Sequence, residues 1–342
     1  MLSLSSPSLF QQYFQQFYSY FGANFESHCE QQIQIYHNST SQTAINDSCY
    51  NVINCLVQSL DARGQLLLAV TTVSLGLAPT ILSILGSNTV ETALLTSKRP
   101  LLGFLLSLGA PVITPIRAFE QVDPRNFLLV PALERWSPPL LKPLTERLVC
   151  LIEYTLVLAA LTNVTDIALE LAFMSFPIST ECNQRWQYLL WVYIASLPHV
   201  FGLAAFATRA KWPRSLNQAK ISRFRIINAL SRWFKDEFKP CRQRERHAFQ
   251  WSCENPASIL LSGLVSFTTM VHIVYGTTLL SSVVLVAPPD AVGLIARLSA
   301  SALVCRSVLL FELYGLRETI EVIPTGPANS SSEELPTVTA KS

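Results

Sequence analysis

Five apolar stretches constrain this chain more than any other feature: residues 64–86, 148–174, 188–208, 258–286 and 291–315. Each exceeds the roughly 18 residues that mark a transmembrane helix. Charged residues make up only 14% of the 342 positions, where a soluble domain carries about 25%. The expected fold is therefore an all-α polytopic transmembrane helix bundle. Pro79 predicts a kink in the first stretch, which neighbouring helices would accommodate. Residues 101–116, LLGFLLSLGAPVITPI, are short and interrupted by Pro111 and Pro115, which suits a re-entrant segment or a sixth, short span.

Charge placement bears on orientation. Residues 209–255 hold twelve Lys or Arg against four acids, and residues 1–62 hold no Lys or Arg. With 101–116 re-entrant, five crossings leave nearly all basic residues on the cytosolic side and the N-terminus in the lumen. If 101–116 crosses fully, six spans result and the N-terminus is cytosolic. Counting charges does not separate the two. Cys29, Cys49, Cys55 and Cys182 would all be lumenal in the first arrangement, an even set suited to two disulfides in an oxidising compartment. Asn38 and Asn46 open glycosylation sequons in the same region. Cys150, Cys241, Cys253 and Cys305 read as reduced packing residues, with no zinc spacing.

The chain divides into a lumenal N-terminal region (1–63), a first helical membrane region (64–208), a basic cytosolic loop (209–257), two final spans (258–316) and a disordered tail (317–342). Phe10, Tyr13, Phe14, Phe17, Tyr18 and Phe21 recur at helical spacing, as a helix lying on the membrane interface or packed on the protein itself. In the loop, Ile221, Phe224, Ile227, Leu230 and Phe234 form an apolar stripe edged by arginines, the pattern of a basic amphipathic helix on an anionic leaflet. Membrane lipids are the expected partner of that surface, and nucleic acid is not.

No HExxH, Walker, GxGxxG, GxSxG or DDxxD motif occurs, so metal, nucleotide and hydrolase chemistry lack a signature and no cofactor is expected. Charge inside the apolar stretches is the remaining signal, because an ionisable group there is costly. Asp166 and Glu170 stand four apart and share a helical face with Asn163. Depth along antiparallel spans groups Asp166, Glu170 and Arg297 in the lumenal half, and Glu153, Arg306 and Glu312 in the cytosolic half. His199 and His272 fall near mid-span. Two carboxylates on one face repel, which makes Asp166 or Glu170 a candidate proton donor in a dry cavity, with His199 as a base. The alternative for Glu153, Arg306 and Glu312 is a set of ion pairs fixing helix register.

The stretch GLAPTILSILG with Glu91 after it, the turn Arg99 to Leu102 and the pair Glu153-Tyr154 resemble a family of filamentous-fungal integral membrane proteins over residues 49–315. That family includes the membrane protein of paxilline-type indole diterpene gene clusters. The resemblance implies a place at the endoplasmic reticulum, near lipophilic prenylated small molecules and other pathway enzymes. Two functions fit it. One is a membrane-bound terpene cyclase, with Asp166 or Glu170 as acid, Trp191, Tyr193 and Phe201 as walls and His199 as terminal base. The other is a non-catalytic scaffold or carrier for pathway intermediates.

Overall fold

The computed structural model describes residues 14–39, 41–111, 113–114, 123–124, 128, 143–177, 186–211, 237–241 and 247–322. A π-helical turn (Tyr18–Gly22) leads into α1 (Ala23–Asn38) and α2 (Gln42–Ser59). The membrane-length helices are α3 (Ala62–Leu85), α6 (Pro143–Met174), the pair α7 (Trp186–Ile194) and α8 (Ser196–Arg209), α9 (Pro256–Ser281) and α10 (Pro288–Thr319). Two short helices, α4 (Thr89–Thr96) and α5 (Pro100–Gly109), follow α3. The basic amphipathic segment, residues 221–234, lies outside the described residues, as do Phe10, Tyr13, Cys182 and the tail from residue 323, whereas residues 317–322, expected in a disordered tail, end the last helix and form a short strand.

These helices invert the pattern of a soluble bundle. On α3 the exposed residues Leu66, Val70, Val73, Leu77, Ile81 and Ile84 repeat every three or four positions. The opposite face buries Thr71, Leu75, Ala78 and Leu82. An outward stripe of large aliphatic side chains would aggregate in water and is at home against lipid. Pro79 lies inside α3 without ending it. The α9 to α10 connection is longer than the apolar pattern suggested. Helix α9 stops at Ser281, and the prolines at 288 and 289 start α10, since proline fits the first helical turn, where no partner is needed for its missing N–H.

Small sheets mark the two ends of the bundle. Strand β1 (Phe176–Pro177), after α6, pairs antiparallel with β4 (Val283–Val284), after α9. At the other end β3 (His247–Trp251) pairs with β2 (Ala210–Lys211), after α8, and with β5 (Ile320–Val322), after α10. The N-terminal helices pack on the first end: Phe17, Phe21, Cys29, Ile53 and Leu56 share a buried cluster with Val284, Leu285 and Ala287. The N-terminus therefore lies on the side opposite β5, which is the five-span arrangement with a re-entrant segment and not the six-span one. Phe14, Phe17 and Phe21 take the packed alternative, all buried in the protein. Cys29 and Cys55 are joined in a disulfide, and Cys49 is also disulfide-bonded.

Candidate functional site

Helix α3 does not cross the bundle unbroken. A Cβ added at Gly76 would come 2.8 Å from the Ser281 Cβ at the end of α9. Nine residues separate Gly76 from Leu85, so α3 ends roughly 13 Å deeper, at 1.5 Å per residue, about level with His272. The chain is held open there by residues that follow α5. Ser87 and Ile113 form a parallel bridge, the Thr114 N–H donates to the Ser87 carbonyl at 3.3 Å, and the Thr114 hydroxyl donates to the Gly86 carbonyl at 2.8 Å. Freed backbone groups inside a membrane need such internal partners.

The break is readable in its chemistry. Asn88 caps α4, and Glu91 accepts the Asn88 N–H in return, completing a capping box. From Thr89 the short helix leads toward the end of the bundle that carries β5, and α5 returns. A Cβ on Gly103 would fall 2.2 Å from Thr96 Oγ1, so only glycine lets the two helices approach this closely. Gly109, at the far end of α5, lies against Val157, Leu161 and Cys305. The hairpin thus begins and ends in mid-bundle, the geometry of interrupted helices that place polar groups at the bilayer midplane.

Two histidines fasten this hairpin. His272 Nε2 lies 3.2 Å from the Pro111 carbonyl oxygen, and His199 Nδ1 lies 2.9 Å from Thr92 Oγ1. Their other nitrogens, His272 Nδ1 and His199 Nε2, are buried and have no hydrogen-bond partner among the described residues. Trp191 stacks on His272, with ring centroids 5.7 Å apart and planes within 2°. Its Nε1 is also buried without a partner and rests on Gly276, where a Cβ would come 2.2 Å away.

Three arginines organise the acidic groups. Arg306 makes a two-pronged pair with Glu91, one arm of which is 3.2 Å. Arg99, fully buried, reaches Glu153 at 2.6 Å and Glu312 at 3.0 Å through Nη1. Burial alone would lower the Arg99 pKa, but the Glu312 and Glu153 carboxylates outweigh it and raise it above its ordinary value. Segment 237–241 closes this cluster. Arg99 Nε donates to the Glu237 carbonyl, the Leu102 N–H and the Tyr154 hydroxyl donate to the Glu237 carboxylate, and the Cys241 N–H donates to Glu312. The third arginine, Arg297, bridges Asp166 at 2.7 Å and Glu170 at 2.6 Å, and Asn163 binds its Nε and its carbonyl.

The sequence-predicted residues are thus divided. Asp166, Glu170 and Arg297 meet as their depths require. Both acids are committed to Arg297, and the Asp166 side chain is 62% exposed at the surface of the bundle. Arg306 is not the partner of Glu153 or Glu312; those acids take Arg99, and Arg306 takes Glu91. His199 and His272 come together with Trp191 at the helix break, whereas Tyr193 is partly exposed and bonds Thr165. Cys150, Cys241 and Cys305 are buried thiols, but Cys253 is exposed and not a packing residue.

Glu91, Arg99 and Glu237 were not among the expected site residues. The Asn-x-x-Glu spacing marks Glu91 as a helix-capping residue, and Arg99 stands directly before Pro100 and an apolar run. Glu237 has no such signal. The sequon sites also differ: Asn38 is exposed at the end of α1, while the Asn46 side-chain oxygen is buried inside α2. No family model, curated protein or solved structure matches the chain.

Proposed function

We propose that this chain is a multi-pass membrane carrier of fungal terpenoid secondary metabolism, holding a lipophilic prenylated molecule among α7, α8, α9 and the re-entrant hairpin. The observation that carries this reading is the interrupted α3–α4 helix in mid-bundle, with buried histidine nitrogens beside it that lack partners. Interrupted helices supply polar groups at the midplane without exposing them to lipid. The metabolic setting and the endoplasmic reticulum rest on the sequence resemblance. In this orientation the N-terminal helices face the lumen, which agrees with the Cys29–Cys55 disulfide and with Lys211 and His247, which flank the basic loop, at the opposite end. That loop would be the docking surface for soluble pathway enzymes.

A cyclase is the second reading, favoured by one observation. His199 presents a buried nitrogen without a partner in the same cluster as Trp191 and His272, the arrangement of a base that ends a carbocation cascade beside an aromatic wall. Its initiating acid is the weak element, because Glu91, Glu153, Asp166, Glu170 and Glu312 each meet an arginine.

Mass spectrometry of the host separates the readings, comparing wild type, a deletion and Asp166→Asn at matched membrane levels. A carrier predicts that the deletion redistributes or depletes a finished terpenoid and that Asp166→Asn behaves as wild type. Accumulation of an acyclic isomer in both altered strains would replace the carrier with the cyclase. An unchanged terpenoid profile in the deletion would remove both.

A further inference from the structure

We infer that the His199–His272 site receives the hydroxyl group of a lipophilic alcohol. This names the ligand class of the proposed carrier and rests on that reading.

The hydrogen-bond directions define what the site lacks. A carbonyl oxygen only accepts, so the His272 ring proton sits on Nε2, facing Pro111. In that tautomer Nδ1 is the lone-pair nitrogen. The Thr92 hydroxyl has one proton, and the carbonyls of Thr89 at 3.0 Å and Asn88 at 3.3 Å are placed to take it. Its oxygen then accepts from His199 Nδ1–H and the lone pair of that ring is on Nε2; in the other tautomer the Thr92 hydroxyl donates to Nδ1, and Nε2–H is a donor that an alcohol oxygen also accepts. His272 Nδ1 and His199 Nε2 are buried with no partner among the described residues, on residues only 4% and 7% exposed. Buried acceptors left unpaired are costly, so the site is complementary to a group that brings a proton.

The surroundings select among donors. An ammonium group needs a carboxylate to offset its charge in an apolar interior, and Glu91, next to Thr92, is committed to Arg306. Hydrocarbons, ethers and ketones bring no proton. A hydroxyl brings one proton and no charge. Its apolar body would lie along Trp191, whose ring already stacks flat on His272.

The test is competitive photolabelling of the full chain in lipid nanodiscs with a diazirine-bearing long-chain alcohol, read out by peptide mapping. Labelled peptides are expected from α7, α8 and α9. The unlabelled alcohol should compete about tenfold better than the alkane of equal chain length, the effect of one or two net hydrogen bonds. Two near-isosteric variants remove the free nitrogens and keep the bonds to the hairpin. His199→Asn retains a donor for Thr92, and His272→Gln retains one for Pro111. Both should elute as the folded wild type does and lose the preference for alcohol over alkane. Equal competition by alcohol and alkane at these helices would overturn the hydroxyl inference and leave the carrier standing. Preference retained in both variants would also overturn it. Labelling that neither compound displaces would remove the carrier reading as well.

Discussion

The same pair of helices, α6 and α10, carries an arginine between two carboxylates at each end, and the two clusters differ mainly in burial. Arg297 is 36% exposed between Asp166 and Glu170, whereas Arg99 is fully buried between Glu153 and Glu312. In the first, all the ionic groups belong to α6 and α10 themselves. In the second, the arginine comes from the turn before α5, and the cluster is sealed by Glu237 and Cys241 from a distant segment. The comparison teaches that similar ionic triads do different work. The first triad lies open at the bundle surface and joins only α6 to α10. The buried one has no alternative partner, so it ties the hairpin, α6, α10 and segment 237–241 into one arrangement.

The largest expected effect follows from that difference. Arg99→Ala leaves Glu153 and Glu312 buried without a counter-charge and should cost about 3–5 kcal/mol, seen as loss of the folded species on size exclusion and a lower unfolding temperature in detergent. Arg306 is intermediate, with its side chain 28% exposed and Glu91 6% exposed. Arg306→Gln should cost about 1–3 kcal/mol, because Glu91 keeps its capping role but loses its charged partner. Gly103→Val probes the same hairpin without touching charge. The added side chain collides with Thr96, and a loss of about 1–3 kcal/mol is expected. If Gly103→Val proves neutral, hairpin packing does not depend on the close α4–α5 approach. Arg297→Gln should cost the least, about 1 kcal/mol, because Gln keeps a donor for Asn163 and the acids it leaves are more exposed than Glu91, Glu153 or Glu312. A loss at Arg297 equal to that at Arg99 would break the comparison outright. At the N-terminal end, Asn38→Gln should abolish a glycosidase-sensitive gel shift and Asn46→Gln should leave it unchanged. The reverse pattern would contradict the burial of the Asn46 side-chain oxygen.

The Arg297 triad was legible in the sequence because helical periodicity and depth along antiparallel spans are local properties. Asp166 and Glu170 four apart must share a face, and Arg297 falls at their level once the two spans are recognised. The same reasoning failed for Arg306, Glu153 and Glu312, since their partners stand outside the periodic spans. Glu91 lies in an eight-residue helix, and Arg99 directly precedes a ten-residue one without capping it through its side chain. Helices this short carry too few turns for apolar periodicity to orient a side chain.

By itself the sequence determined the all-helical membrane class and the approximate limits of the spans, because about 20 apolar residues per helix are what a bilayer requires. It also narrowed the topology to five or six crossings and marked residues 101–116 as irregular. Only the tertiary structure decided for five, by packing the N-terminal helices on Val284 to Ala287. It alone brought His199, His272 and Trp191 to the helix break and set Arg99 between Glu153 and Glu312. The physical reason is one of range. Hydrophobic length and period are written within each helix, whereas a buried charge finds its partner only when segments 54 to 215 residues apart in the chain are folded together.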